Sequence, residues 1–175
     1  MERCGNIYLV GMMGAGKTTV GRHLAKRFGR RFLDADHEIE GRTGVRIPTI
    51  FEIEGETGFR KREAQVIAEL AKENDLVLAT GGGVVMDPAN RGVLADSGLV
   101  IYLNAPPRLL YERTRHDRNR PLLRVPDPLA KLTELYGIRD PLYREIADIV
   151  IDAVPGGVPQ LVAKVETEIR ARCEP

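Results

Sequence analysis

Of all the stretches in this chain, Gly11-Met-Met-Gly-Ala-Gly-Lys-Thr18 constrains the fold most. It fits G-x-x-x-x-G-K-[ST] in full, directly after the apolar run Asn6-Ile-Tyr-Leu-Val10 and directly before residues at helical spacing. Backbone N–H groups can close around a phosphate only where side chains do not intrude, and the N-terminus of the following helix adds partial positive charge. A glycine-rich turn that merely caps a helix is the plainer reading. Average residue usage gives about one chance match per hundred chains of this length, and the flanking strand and helix make it rarer still. A nucleoside triphosphate is therefore the expected ligand, with Gly14, Ala15, Gly16, Lys17, Thr18 and Thr19 around its phosphates. Lys17 would reach the β- and γ-phosphates, and the Thr18 hydroxyl would ligate Mg²⁺.

The pattern around this loop repeats. Val20, Leu24, Ala25 and Phe28 recur at helical spacing, Lys26 and Arg27 occupy the last turn, and Gly29 supplies the stop. Arg31-Phe-Leu33 reads as a short strand, Thr57 to Asn74 as a helix with Ile67, Leu70 and Ala71 on one face, and Leu76-Val-Leu-Ala79 as a third strand. Pro88 opens another helix, Leu99-Val-Ile-Tyr-Leu103 is a fourth strand, Pro106-Pro107 starts a helix where proline is tolerated, and Asp148-Ile-Val-Ile151 is a fifth strand. Apolar strands separated by helices predict a three-layer α/β/α fold around a central five-stranded parallel sheet, with ligands at the C-terminal edge of the strands. Residues 37–56 and 111–128 break the strand-helix alternation and read as excursions over that edge. At 175 residues the expectation is one domain spanning 1–175, with a substrate-binding excursion at about 34–62 and a lid at about 111–126.

Composition excludes several classes. With 43% hydrophobic and 29% charged residues the chain is ordinary for a folded globular protein, not a disordered or disulfide-framework one. The 26 basic against 25 acidic residues lack the positive excess of a phosphate-backbone binder, so no nucleic-acid partner is expected. The apolar stretch Ile7 to Val10 is too short for a signal core or a membrane span, so no membrane partner and a cytoplasmic location are expected. Cys4 and Cys173, at opposite ends and outside any Cys-x-x-Cys or Cys/His cluster, read as reduced thiols. His23, His37 and His116 have no identifiable partners and read as surface or core residues. Small size and the lack of an obvious sticky face make a monomer the expectation.

A phosphate loop alone leaves hydrolase, switch and kinase open, so the other residues must choose. A guanine-specific hydrolase would carry Asn-Lys-x-Asp after a later strand, but here the fourth strand ends Leu103-Asn-Ala-Pro106. Asp34-Ala-Asp36 closes the second strand, and extended alternation would point both carboxylates into the cleft, one for metal and one for a hydroxyl. Solvated loop aspartates are the alternative. Arg60, near the start of a helix, is either a ligand-binding arginine or a surface partner of Glu56 or Glu63. Gly81-Gly82-Gly83 at the tip of the third strand would let a ligand approach the backbone closely, or would simply be a flexible turn. Residues 111–124 hold five arginines against two acids, which suits either a solvated face or a lid that brings guanidinium to a transferring phosphoryl group. Arg139, in Ile138-Arg-Asp-Pro-Leu-Tyr143, has ordinary surface pairing as its alternative.

Taken in order, Gly-x-x-Gly-x-Gly-Lys-Thr, Asp-x-Asp, Gly-Glu-x-x-Phe-Arg-x-x-Glu, Thr-Gly-Gly-Gly, Arg-Pro-Leu-Leu and Arg-x-Pro-Leu-Tyr resemble the bacterial shikimate kinases, from Ile7 to about Ile151. The resemblance implies a P-loop kinase fold like that of the nucleoside monophosphate kinases, with ATP and shikimate as substrates and Mg²⁺ as cofactor. It implies that Asp36, Arg60, Gly82 and Arg139, flanked by Gly81 and Gly83, hold shikimate, with the arginines on its carboxylate. Arginine's planar fork matches a carboxylate. It further implies that Asp34 acts on Mg²⁺ through water, that Arg120 contacts the phosphates, and that Arg113 stacks on adenine, with Arg115 as a competing register. Asp36, Lys17 and Arg120 would then carry the catalysis. The second adenine-contacting segment is sought at Asp152-Ala-Val-Pro155. The implied reaction moves the γ-phosphoryl of ATP to the 3-hydroxyl of shikimate. A kinase of the same architecture acting on gluconate or a nucleoside monophosphate is the nearest competitor, and an ATP-binding regulatory module without an acceptor is the alternative from another class.

Overall fold

The computed structural model describes residues 3–153 and 156–175. Five strands, β1 (Asn6–Val10), β2 (Arg31–Asp34), β3 (Leu76–Ala79), β4 (Gly98–Asn104) and β5 (Ile149–Asp152), form one sheet. Their order is β2-β3-β1-β4-β5 and every pairing is parallel. Seven α-helices connect and cover them: α1 (Lys17–Phe28), α2 (Ala35–Thr43), α3 (Ile47–Leu70), α4 (Pro88–Ser97), α5 (Pro107–Thr114), α6 (Pro128–Ile146) and α7 (Val158–Arg172). This is the α/β architecture expected from the alternating pattern.

Position in the sheet explains strand composition. β1 and β3 are buried along their whole length, as continuous apolar runs require when helices cover both faces. The outer strand β5 alternates instead, with Ile149 and Ile151 buried and Val150 and Asp152 exposed. Chain direction reverses around the central β1: the crossover through α1 leads to the β2 side, whereas β4 lies on β1's other flank. Such a reversal opens a crevice at the strands' C-terminal ends, and the loop 11–16 sits there. Gly16 precedes α1 with φ +99°, a conformation that favours glycine, and no side chain caps the helix.

Three expectations need correction. Residues 37–56 are mostly helical, since α2 and the first half of α3 occupy them. The two halves of α3 meet at a kink where Gly55 takes φ 72°, so the helix starts ten residues before Thr57. Asp34 and Asp36 do not alternate along one strand. Asp34 is the N-cap of α2, its Oδ1 accepting from the N–H groups of Asp36 and His37 at 3.0 and 3.2 Å, and Asp36 already lies in the helix. Finally, Cys4 and Cys173 form a disulfide across 169 residues of sequence. The end of α7 returns to the start of the chain, where the Cys4 N–H donates to the Glu174 carbonyl at 2.8 Å. Arg30 holds the same segment by donating to the Gly5 and Cys4 carbonyls at 2.5 and 2.9 Å. Among the described residues no helix is long and apolar enough to cross a membrane.

Candidate active site

A cavity of about 550 Å³ opens at the C-terminal edge of β1 and is lined by Gly14, Ala15, Gly16, Lys17, Thr18 and Thr19. Asp34, Asp36, Arg113 and Arg120 reach it from other segments. Lys17 is buried, and its Nζ donates to the carbonyls of Gly11 at 2.5 Å and Met12 at 2.9 Å. Burial, followed by the nearby charge of Arg120, lowers the Lys17 pKa to about 7, although Asp36 and Asp34 pull it upward. The Thr18 hydroxyl donates to Asp34 Oδ2 at 2.7 Å. Arg113 donates to the Gly14 carbonyl at 3.0 Å and so lies over the glycine loop, whereas Arg115 does not line the cavity. Of the segment sought for adenine contacts, Ala153 lines the cavity, and Gly156, Gly157, Val158 and Leu161 extend that wall. Val154 and Pro155 lie outside the described residues.

Thr18 and Asp34 also test the fit of a metal. A hydroxyl and a carboxylate oxygen 2.7 Å apart beside the phosphate loop are hard oxygen donors. Mg²⁺ commonly takes one or two such protein groups and fills its octahedron with phosphate and water oxygens. Among the described residues there is no group of three or more His, Cys, Asp or Glu arranged to hold a metal by themselves. The pair fits a nucleotide-borne Mg²⁺.

Against this cavity lies a smaller one of about 60 Å³, bounded by Asp36, Arg60, Glu63, the turn Gly81-Gly82-Gly83, Arg120 and Arg139. Asp36 and Arg120 face both cavities. Arg60 donates to Glu63 at 3.0 Å and to Glu56 at 3.2 Å. Burial opposes its charge, but the two carboxylates outweigh burial and raise its pKa. Glu63 is fully buried, and burial raises its pKa against the pull of Arg60. Asp36 is raised too, chiefly by burial and then by Asp34, while Arg120, Lys17 and Arg60 favour its charged form. Arg139 is only 2% exposed, and burial lowers its pKa.

The polar accounting of this smaller cavity is incomplete. Asp36 Oδ1, Glu63 Oε2, Arg139 Nε and Arg139 Nη1 are buried without a partner. Buried guanidinium donors left open are costly unless a group of opposite charge meets them, and a carboxylate ligand does so with the right geometry. The glycines are there because of crowding. A Cβ on Gly81 would stand 2.8 Å from Glu63 Oε2 and 3.0 Å from Asp36 Oδ1, and one on Gly83 would run into the Arg60 guanidinium.

Among the described residues, all those expected to hold the two ligands except Asp152 thus border one of two adjoining cavities. Two features of the site go beyond the sequence expectations: the full burial of Glu63, expected as a surface partner for Arg60, and the contact of Tyr143, whose hydroxyl donates to the Gly82 carbonyl. The spacing of Arg60 and Glu63, one helical turn apart, signals their pairing but not their burial. His37, read as partnerless, lines the larger cavity.

Comparison with known proteins gives a consistent result. The family model described as Shikimate kinase matches residues 13–170. A shikimate kinase of Dechloromonas aromatica is 67% identical over 167 residues, covering 94% of this chain and 91% of that protein. One from Aromatoleum aromaticum is 63% identical over 164 residues, covering 94% of each. Among solved structures, the shikimate kinase from Acinetobacter baumannii in complex with shikimate superposes with a TM-score of 0.94 at 54% identity, over 97% of this chain and 95% of that one. The shikimate kinase from Aquifex aeolicus gives 0.82 at 32% identity, over 95% and 96%.

Proposed function

The chain belongs to the shikimate kinase family, and we propose that it phosphorylates the 3-hydroxyl of shikimate with ATP through the two adjoining cavities. The larger cavity takes MgATP, with the loop from Gly14 to Thr19 around its phosphates and Arg113 and Ala153 toward the base. Thr18 and Asp34 would hold Mg²⁺, which when bound supplies charge neutralisation at the phosphate oxygens. The smaller cavity takes shikimate, with Arg60 and Arg139 on the carboxylate and Asp36 at the hydroxyl.

Phosphoryl transfer needs alignment and charge neutralisation more than covalent chemistry. Lys17 and Arg120 offset charge on the phosphoryl oxygens. Asp36 accepts a hydrogen bond from the attacking hydroxyl, orients it and takes its proton late, when a loose transition state needs little base strength. Among the described residues Asp36 is the only carboxylate that faces both cavities, and this suits it to the junction between donor and acceptor. The arginine-rich segment at about 111–126 acts as a lid that excludes water during transfer, which limits wasteful hydrolysis. On this reading the chain is one domain over 1–175, with its acceptor excursion at about 34–62, and works as a cytoplasmic monomer.

One observation carries the choice of acceptor: a buried Arg139 with two open donors facing the strand edge beside the phosphate loop. The test is ADP release with MgATP and, in parallel, shikimate, quinate, gluconate, AMP and no acceptor. Turnover with shikimate far above the other tubes is expected. Turnover with gluconate or AMP instead would overturn the roles of Arg60 and Arg139, and release in no tube would leave an ATP-binding module.

A further inference from the structure

Tyr143 stands one helical turn after Arg139 on α6 and is completely buried. Residues four apart share a helix face, so both side chains point at the turn Gly81-Gly82-Gly83. The Tyr143 hydroxyl donates to the Gly82 carbonyl. Its ring is held from the other side by Tyr102, with ring centroids 4.8 Å apart at 36°. Burial pushes the hydroxyl's pKa up, while the adjacent Arg139 guanidinium pulls the other way, so the phenol keeps its proton and remains a donor.

The Gly82 carbonyl needs such a donor because it lies beyond the sheet. The ladder between β3 and β1 ends with the Thr80 N–H on the Leu9 carbonyl at 3.1 Å. Past it, the backbone at Gly82 runs close to Arg139: a Cβ there would be 3.4 Å from Arg139 Nη1, one of the open donors. Without the tyrosine hydroxyl, that guanidinium is a charged, unpartnered donor beside the Gly82 backbone, level with the Met13 N–H at the same 3.4 Å from that Cβ position, and it can turn onto the carbonyl. An Arg139 turned onto Gly82 would lose the fork it presents to an acceptor carboxylate.

We propose that Tyr143 is a positioning residue for the acceptor: its hydroxyl occupies the Gly82 carbonyl and thereby keeps Arg139 free to hold the carboxylate. The proposal rests on the reading of the smaller cavity as the shikimate site. It assigns the tyrosine to acceptor affinity and not to the nucleotide, because its hydrogen bond goes to Gly82 and its ring packs on Tyr102.

The experiment compares Tyr143→Phe with Tyr102→Phe, which removes a hydroxyl from the same ring pair but one that donates to Asp140 at 2.7 Å. Tyr143→Phe should raise the KM for shikimate about tenfold, the scale of one buried hydrogen bond, and leave kcat and the KM for ATP within about twofold. Tyr102→Phe should leave the KM for shikimate within about twofold. An unchanged shikimate KM in Tyr143→Phe, or an equal rise in the KM for ATP, overturns the proposal. If that variant does not fold, 4-aminophenylalanine at position 143 keeps a donor and should retain the wild-type KM for shikimate, whereas a tenfold rise in it would overturn the proposal. Failure of the acceptor reading itself shows separately, as absence of shikimate turnover in the unmodified protein.

Discussion

The two walls of the cleft differ in how far each satisfies itself. On the nucleotide wall, Lys17 donates to Gly11 and Met12, Thr18 to Asp34 and Arg113 to Gly14, so these three side chains have partners in the free protein. The acceptor wall gathers residues from α2, α3, the turn after β3 and α6, and it leaves buried atoms of Asp36, Glu63 and Arg139 unpartnered. A wall of backbone amides and one lysine recognises phosphates common to every nucleoside triphosphate. On the proposed reading, a wall of fixed, open charges would select one arrangement of carboxylate and hydroxyl, and specificity would reside there.

The largest expected effect would break this contrast if it fell on the wrong parameter. Arg120 faces both cavities, donates to Asp117 at 3.0 Å in the free protein, and is assigned to the transferring phosphoryl group. Arg120→Ala should lower kcat by about a thousandfold and leave shikimate affinity within about threefold, measured by steady-state kinetics and calorimetry. A loss confined to shikimate affinity would move Arg120 to the acceptor wall. The next effect belongs to that wall alone. Arg60→Lys replaces a fork by a point charge and should raise the KM for shikimate about tenfold with the KM for ATP unchanged. An unaltered shikimate KM would remove Arg60 from the site.

The smallest effect sharpens the description of the nucleotide wall. With its pKa lowered to about 7, Lys17 is mostly neutral at pH 8 in the free protein. The negative phosphates favour the charged form and raise that pKa, so MgATP binding at pH 8 should take up a proton. Calorimetry in buffers of different ionisation enthalpy would register it. An enthalpy independent of buffer would mean that Lys17 stays charged throughout.

The same contrast explains what the sequence made legible. The phosphate loop is contiguous, and its glycine spacing carries its geometry, so strand, loop and helix were readable together. The core strands followed from apolar runs, with boundaries off by a residue, as in Leu99 to Leu103 against Gly98–Asn104. The acceptor wall was legible only as separate short motifs, because its contacts are between segments far apart in the chain. Burial of Glu63 and the Tyr143 contact with Gly82 leave no local signature. Asp34 could have been recognised as an N-cap from its place just before a helix, but the preceding strand suggested extended alternation. The Cys4–Cys173 pairing was hidden for the same reason as the acceptor wall: sequence separation says nothing about where α7 ends.

Asp36 is where the two walls meet, so its replacement bears most directly on the account. Burial holds its carboxyl above the ordinary value, and it must be ionised to accept the hydroxyl's hydrogen bond. The acid limb of kcat/KM for shikimate should therefore lie above the range of an ordinary aspartate. Asp36→Asn keeps the shape and removes the charge. Measured in parallel, shikimate binding by calorimetry should stay within about fivefold of the unmodified protein while kcat falls by about a hundredfold or more. Turnover at the unmodified rate by Asp36→Asn would contradict the assignment of the reacting hydroxyl to this carboxylate, and with it the proposed junction of the two cavities.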